Sequence, residues 1–238
     1  MNISKSIPNA ITCLNLLCGS AGVIFACNSR IDVAFILMLA AAVCDFLDGF
    51  AARTLKAYSD IGKELDSLAD VVSFGLLPSV MLHVIMEEYH FGSSIWCWAP
   101  LLIAAFSALR LAKFNLDERQ HFSFLGLPTP ACAMLCGSLA YYVANTPGSF
   151  LAIWCSGDVF IPLLSAAMCA LLVCEIPFFS FKLSKGQKSG EKRKRLYFGI
   201  NLLLITAIVI VLSVNWSMTI LMGLLIYILM NIVFSLIS

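Results

Sequence analysis

Residues 33–53 read VAFILMLAAAVCDFLDGFAAR, an apolar run that ends with two aspartates and an arginine. Residues 62–70 read GKELDSLAD and bring two further aspartates just before a second apolar run. A carboxylate in a membrane segment is costly unless a positive group compensates it, so such residues are candidates for function by default. We refer to these aspartates as the four acids: Asp45, Asp48, Asp66 and Asp70.

The composition indicates that the surrounding solvent is a lipid bilayer. Of 238 residues, 61% are hydrophobic and 12% are charged, and the mean hydropathy is +0.93. A helix crosses a hydrocarbon core of about 30 Å with roughly 20 apolar residues. The sequence therefore predicts an all-α fold, a polytopic membrane helical bundle of about eight transmembrane helices in a single domain over residues 1–238. A net charge of +1 argues against nucleic acid as a partner.

The distribution of positive charge predicts how the bundle is oriented. A cytoplasmic N-terminus places every lysine and arginine except Arg30 on the inside, including the basic loop at 182–195, and the positive-inside rule selects that orientation. Both termini are then cytoplasmic, in a multi-pass protein of the cell membrane. The basic loop either sets this topology or also attracts anionic membrane lipids. The predicted spans are 7–27, 33–54, 67–86, 95–114, 127–145, 159–181, 196–214 and 217–237.

The spacing of the four acids predicts that they converge. Asp45 and Asp48 are three residues apart and Asp66 and Asp70 are four apart, so each pair shares one helix face. The segment 55–65 lets the two helices run antiparallel, which places all four carboxylates near the cytoplasmic interface. Four converging carboxylates repel one another and take up protons when nothing compensates them.

Divalent metal ions resolve that repulsion. Carboxylate oxygens suit magnesium, manganese or calcium, and two such ions can clamp a diphosphate. Gly49 and Ala52 leave room for a ligand, Arg53 offers a bidentate fork for phosphate, and Gly62 can supply a tight turn. Two alternatives compete with this interpretation. The acids could pair with Arg53 and lysines for packing alone, or they could line a cation transporter, whose acids would be expected near the middle of the bilayer.

The same residues resemble a known family, the CDP-alcohol phosphatidyltransferases, whose signature is Asp-x2-Asp-Gly-x2-Ala-Arg-x8-Gly-x3-Asp-x3-Asp. Residues 45–70 match every fixed position of it. The resemblance implies a helical bundle in which an alcohol displaces CMP from a CDP-linked substrate at a metal-dependent site on the cytoplasmic interface. It also implies membrane lipids as neighbours and a possible homodimer.

The resemblance further implies roles for individual residues. Asp45, Asp48 and Asp66 are similar to the ligands of one metal ion, and Asp45, Asp66 and Asp70 are available to a second. The ions are expected to be manganese or magnesium. Asp70 is similar to the family's proposed general base. The positions around the nucleotide and its diphosphate correspond to Gly49, Ala52, Arg53 and Gly62.

Segments outside the signature resemble the serine-accepting branch of the family. These segments are residues 7–16, 72–78, 110–115 and 126–131. The branch implies that CDP-diacylglycerol and L-serine give phosphatidylserine and CMP. Acceptors that carry a phosphate, as in phosphatidylglycerophosphate or phosphatidylinositol-phosphate synthases, are the alternative within the family.

Two further groups of polar residues lie close to the acids in the predicted topology. Arg110, Lys113 and Asn115 close the fourth span on the same side of the membrane. They are either interfacial anchors that extend toward headgroups or the groups that bind the acceptor carboxylate or the lipid phosphate. The first span carries polar residues at helical spacing, each able to bond a neighbouring helix or a nucleotide: Asn9, Thr12 and Asn15.

Overall fold

The computed structural model describes residues 3–89, 95–116, 124–178 and 215–237. Helices make up nearly all of these ranges, which confirms the predicted all-α fold. They are α1 (Ile3–Cys27), α2 (Ile31–Thr54), α3 (Asp60–Asp70), a π-helical segment (Val71–Leu76), α4 (Leu77–Tyr89), a 3₁₀ helix (Ile95–Leu101), α5 (Leu102–Leu116), α6 (Thr129–Asn145), α7 (Phe150–Cys155), α8 (Phe160–Val173) and α9 (Ser217–Ile237).

Several helices are long and apolar enough to cross a membrane. Ser6–Cys27, Ile31–Thr54, Asp60–Glu88 and Ile95–Leu116 meet that requirement, and Phe160–Val173 and Ser217–Val233 are shorter apolar helices. The chain is therefore a multi-pass membrane protein. Each predicted span except one coincides with a described helix; the exception is 196–214, which lies outside the described residues, as does the basic loop at 182–195.

The third span forms the centre of the bundle. It runs without a break through α3, the π-helical segment and α4, and 72% of its most apolar window is buried, against 28–33% for the other three long spans. Phe74, Leu77, Met81 and Ile85 are fully buried along it. The middle of this span, directly after Asp70, is therefore held between helices on several sides.

Glycines allow the outer helices to approach one another and the third span closely. A Cβ on Gly19 would lie 2.8 Å from the Cα of Ser73, and a Cβ on Gly22 would lie 2.7 Å from a methyl group of Leu77. The Ser73 backbone cannot move aside as the Leu77 side chain can, so α1 packs this closely against the third span because residue 19 has no side chain. This close approach brings the polar residues of α1 beside the acids.

The connection between α2 and α3 is shorter than predicted. The sequence indicated a connecting segment at 55–65, but α3 begins at Asp60. Ser59 caps the new helix, because its hydroxyl accepts a hydrogen bond of 3.1 Å from the backbone N–H of Gly62. Lys56 takes a left-handed conformation with φ of 50° in the turn itself. Gly62 therefore belongs to the first turn of α3, and the prediction that it forms a separate tight turn is wrong.

The chain after α8 also departs from prediction. The sixth span was expected at 159–181, but α8 ends at Val173 and Cys174 is extended. The chain then forms a two-residue strand, β2 (Pro177–Phe178), antiparallel to β1 (Phe124–Leu125). Gly126, with φ of +78°, donates from its backbone to the carbonyl of Ile176 at 3.0 Å. This pairing takes the chain out of the helix and fixes the segment that precedes α6.

Candidate active site

The four acids lie on two neighbouring helices, and three of them bring ligand oxygens close together. One carboxylate oxygen from each of Asp45, Asp48 and Asp66 lies within 4.8 Å of the other two, and we call these residues the three-acid group. Asp70 is buried outside this group. Four residues of an α-helix advance about 6 Å, which places Asp70 one turn beyond Asp66, still within electrostatic range of Asp45 and Asp66.

Among the described residues, no lysine or arginine forms a salt bridge with any of the four acids. In the ranges that the structure describes, the salt bridges within 4.0 Å involve other residues. The alternative in which the acids pair with Arg53 and lysines for packing therefore lacks the contacts that it requires. Asp66 Oδ1 is buried and has no hydrogen-bond partner among the residues that the structure describes. A set of closely spaced carboxylate oxygens, one of them unpartnered, fits a divalent cation with oxygen ligands.

A cavity of about 320 Å³ opens beside the three-acid group. It lies between α1, α2 and the start of α3, so the first three helices enclose it. All four residues predicted to surround the nucleotide line it, although the ligand they bind remains a prediction. The lining consists of Pro8, Asn9, Thr12, Asp48, Gly49, Ala52, Arg53, Ala57, Tyr58, Ser59, Gly62, Lys63 and Asp66.

The two glycines of this cavity lack a side chain for different reasons. A Cβ on Gly49 would have no heavy atom within 4 Å, so this glycine leaves open space in front of α2. A Cβ on Gly62 would lie 2.9 Å from Asn9 Oδ1 and 2.9 Å from Ser59 Oγ. Gly62 therefore lets the amide of Asn9 rest against the first turn of α3.

Helix α1 makes direct hydrogen bonds to the acids. The buried Thr12 hydroxyl donates to Asp48 Oδ2 at 2.7 Å, and the buried Asn15 Nδ2 donates to Asp70 Oδ1 at 3.4 Å. The sequence left open whether these residues bond a neighbouring helix or a nucleotide; both bond neighbouring helices. Their spacing on α1 was visible in the sequence, but their partners depend on how the helices pack.

Arg110 is buried, although the sequence allowed it to be an interfacial anchor. It is only 7% exposed, and its guanidinium donates to Thr129 Oγ1 at 2.8 Å. Its Nε is buried without a hydrogen-bond partner, and the charge lies within electrostatic range of Asp70. A buried cation with an unused donor can bind an anion. The anchor interpretation is wrong for Arg110.

The other two predicted acceptor residues lie at the surface end of α5. Lys113 is exposed, as an interfacial anchor would be. Asn115 Nδ2 donates to Ser67 Oγ at 2.9 Å, and Lys63 Nζ donates to the backbone carbonyl of Asn115 at 3.2 Å. The end of α5 is therefore tied to α3 beside the cavity. Lys63 also lines the cavity, a position that its place directly after Gly62 in the sequence could have indicated.

The fold and the site define a multi-pass helical membrane protein with a carboxylate-lined polar cavity between its first three helices. The chain belongs to the CDP-alcohol phosphatidyltransferase family, whose model matches residues 5–176. The matched region includes the three-acid group, Asp70 and Arg110, and it ends in the segment that follows α8.

Several curated relatives share more than 30% identity with this chain. The CDP-diacylglycerol–serine O-phosphatidyltransferase of Mycobacterium tuberculosis is 38% identical over 165 residues, which cover 63% of this chain and 56% of that protein. The protein of the same name from Helicobacter pylori is 33% identical over 187 residues, covering 75% and 73%. That of Methanocaldococcus jannaschii is 31% identical over 195 residues, covering 75% and 88%. The chain spans little more than half the length of the mycobacterial relatives it matches.

Proposed function

We propose that this protein transfers the phosphatidyl group of CDP-diacylglycerol to L-serine, giving phosphatidylserine and CMP in phospholipid biosynthesis. The observation that carries the proposal is the three-acid group beside a cavity lined by Gly49, Arg53 and Gly62, within a chain of this family. The names of the relatives support serine as the acceptor.

The reaction exchanges one phosphorus–oxygen bond for another. The serine hydroxyl oxygen forms a bond to the phosphatidyl phosphorus, the bond from that phosphorus to the bridging oxygen of the diphosphate breaks, and CMP leaves. Divalent ions, proposed as two manganese or magnesium ions, would offset negative charge on the attacking and leaving oxygens. Asp45, Asp48 and Asp66 would hold one ion, and Asp45, Asp66 and Asp70 a second.

The remaining residues of the site position the substrates. Gly49, Ala52, Arg53 and Gly62 would surround the cytidine diphosphate in the cavity that they line, with the Arg53 fork directed to phosphate oxygens. Asp70 would accept the proton of the serine hydroxyl as general base. It would do so in addition to holding the second ion, and its bond from Asn15 supports a fixed position for its carboxylate.

Arg110 is the best candidate to bind the carboxylate of serine. Its guanidinium is buried, holds an unpartnered Nε, and lies within electrostatic range of Asp70, so a bound carboxylate would bring the hydroxyl of a small amino acid near the proposed base. Lys113 and Asn115 would act at the rim, Lys113 toward headgroup phosphates and Asn115 by joining α5 to α3.

The proposed setting is the cytoplasmic face of the cell membrane, with both termini inside. The excess of lysine and arginine on one side supports that orientation. The acids near the ends of α2 and α3 would meet the headgroup of CDP-diacylglycerol there, while its acyl chains stay in the bilayer. We also propose one domain over residues 1–238, with the basic loop at 182–195 on the cytoplasmic side, and assembly as a homodimer.

A product assay with a panel of acceptor alcohols tests this proposal. Purified protein, CDP-diacylglycerol and manganese should release CMP with L-serine, and not with glycerol 3-phosphate or inositol phosphate. Release of CMP only with a phosphorylated acceptor would show that serine is not the acceptor, and the proposed reaction class would still hold. Uptake of divalent metal into proteoliposomes without CMP release would favour a cation transporter instead.

A further inference from the structure

Helix α1 contributes a polar face to a site whose acids come from α2 and α3. Asn9 rests against Gly62 in the first turn of α3, Thr12 donates to Asp48 on α2, and the backbone carbonyl of Asn15 accepts a hydrogen bond of 3.1 Å from Ser73 Oγ. Each contact reaches a different part of the helical pair that carries the acids. Helix α1 thus contacts both of the helices that carry the acids.

The contact of Thr12 is the shortest of these and the only one that reaches the three-acid group. The hydroxyl lies 2.7 Å from Asp48 Oδ2 and 3.1 Å from the carbonyl of Pro8. A hydroxyl has one proton to donate, and the carboxylate is both the nearer and the more strongly charged acceptor. Thr12 and Asp48 are 3% and 6% exposed, so both partners of the bond are largely shielded from solvent.

We propose that Thr12 is a positioning residue that holds Asp48 in the orientation needed to bind a divalent cation together with Asp45 and Asp66. The bond occupies one carboxylate oxygen of Asp48 and thereby fixes the direction of the other. Partners of this kind commonly orient the ligands of metal sites and tune their affinity. The inference rests on the metal-binding role given to the three-acid group under the proposed function.

The packing of α1 supports this role because it fixes the position of Thr12 along the helix axis relative to Asp48. Gly19 lies two helical turns from Thr12 and contacts Ser73 so closely that no side chain fits between them. The hydrogen bond from Ser73 to the Asn15 carbonyl adds a second fixed point. Sliding α1 by one turn would break these contacts along with the bond to Asp48.

Thr12 also lines the cavity, so it could instead contact a substrate directly. The two roles differ in a property that requires no substrate. A positioning residue changes the affinity of the substrate-free protein for metal, whereas a direct substrate contact changes only the substrate dependence of turnover.

The test is manganese binding to the purified full-length protein without CDP-diacylglycerol, measured by the loss of free Mn²⁺ signal in electron paramagnetic resonance. Thr12→Val removes the hydroxyl and nearly keeps the side-chain shape, and it should raise the apparent Kd for Mn²⁺ about 10-fold or more. Thr12→Ser keeps the hydroxyl and should stay within about 3-fold of the unmodified protein, because the charge-assisted bond is retained.

Ser20→Ala is the matched control on the same helix. The Ser20 hydroxyl donates to the carbonyl of Leu16 at 2.8 Å, so this change removes a hydroxyl that bonds only α1, and Mn²⁺ affinity should not change. Equal affinity of Thr12→Val and the unmodified protein would overturn the inference, as would a loss in Thr12→Ser as large as in Thr12→Val. If the unmodified protein itself fails to bind Mn²⁺, the proposed metal site fails, and the inference fails with it.

Discussion

Replacing Asp66 with asparagine should make the metal-free protein more stable and nearly inactive. Any two of the ligand oxygens in the three-acid group lie within 4.8 Å. Two full charges at that distance repel by about 3.5 kcal/mol at an effective dielectric constant of 20. Asp66→Asn removes two of the three pairwise repulsions. It also replaces the carboxylate, whose Oδ1 is unpartnered, with an amide group that can donate as well as accept hydrogen bonds.

The stability gain is smaller than the sum of those repulsions, because crowded carboxylates take up protons in the parent protein. We expect about 1–2 kcal/mol, which corresponds to a rise in Tm of roughly 2–8 °C for a protein of this size. Turnover should fall by more than about 100-fold, because removal of a ligand should cost at least as much as removal of a supporting contact.

The assay compares thermal unfolding in detergent, with chelator and with added manganese, and measures CMP release on the same samples. Manganese should raise the Tm of the parent protein and leave that of Asp66→Asn almost unchanged. Glu64→Gln serves as the control, because Glu64 is an exposed acid on the same helix, and it should respond to manganese as the parent does. Substantial turnover by Asp66→Asn, or an equal manganese response, would refute the assignment of Asp66 to the metal site.

Two further pairs of variants test the cavity and the acceptor site. Gly62→Ala should lower stability by about 1–3 kcal/mol, because its Cβ would lie 2.9 Å from Asn9 Oδ1. Gly49→Ala has open space around its Cβ, so it should unfold no more easily than the parent but should raise the KM for CDP-diacylglycerol. Equal Tm values for the two variants would contradict this prediction. In the CMP-release assay, Arg110→Gln should raise the KM for serine at least about 10-fold through loss of a buried charged donor. Lys113→Gln, at an exposed position, should leave the KM for serine unchanged. An unchanged KM for Arg110→Gln would remove Arg110 from the acceptor site.

The spans within the described residues were predictable because each is a long apolar run. Errors arose where a local contact decided the boundary. The Ser59 cap starts α3 at Asp60, and the pairing of β2 with β1 ends α8 at Val173. A short helix, α7, occupies a stretch expected to be a loop.

Spacing along single helices predicted which acids share a face, but it could not predict their depth. Asp66 and Asp70 share a face of α3 at i and i+4, yet only Asp66 joins the three-acid group, because the position of α3 along α2 decides which of the two carboxylates lies beside Asp45 and Asp48. Burial of Arg110 was equally inaccessible to sequence reasoning. An arginine at the end of an apolar run gives the same sequence pattern whether it faces headgroups or is buried. Here the Arg110 guanidinium donates to Thr129 on a neighbouring helix.

The signature residues at 45–70 lie on two helices, but two helices alone would leave their acids poorly fixed. Between helices in a bilayer, close packing and interhelical hydrogen bonds replace the hydrophobic drive that orders soluble cores. Helix α1 supplies both, through the close contact of Gly19 with Ser73 and the bond from Thr12 to Asp48. The three carboxylates repel one another, so the contacts that keep them close must come from other residues. Helix α1 provides such contacts.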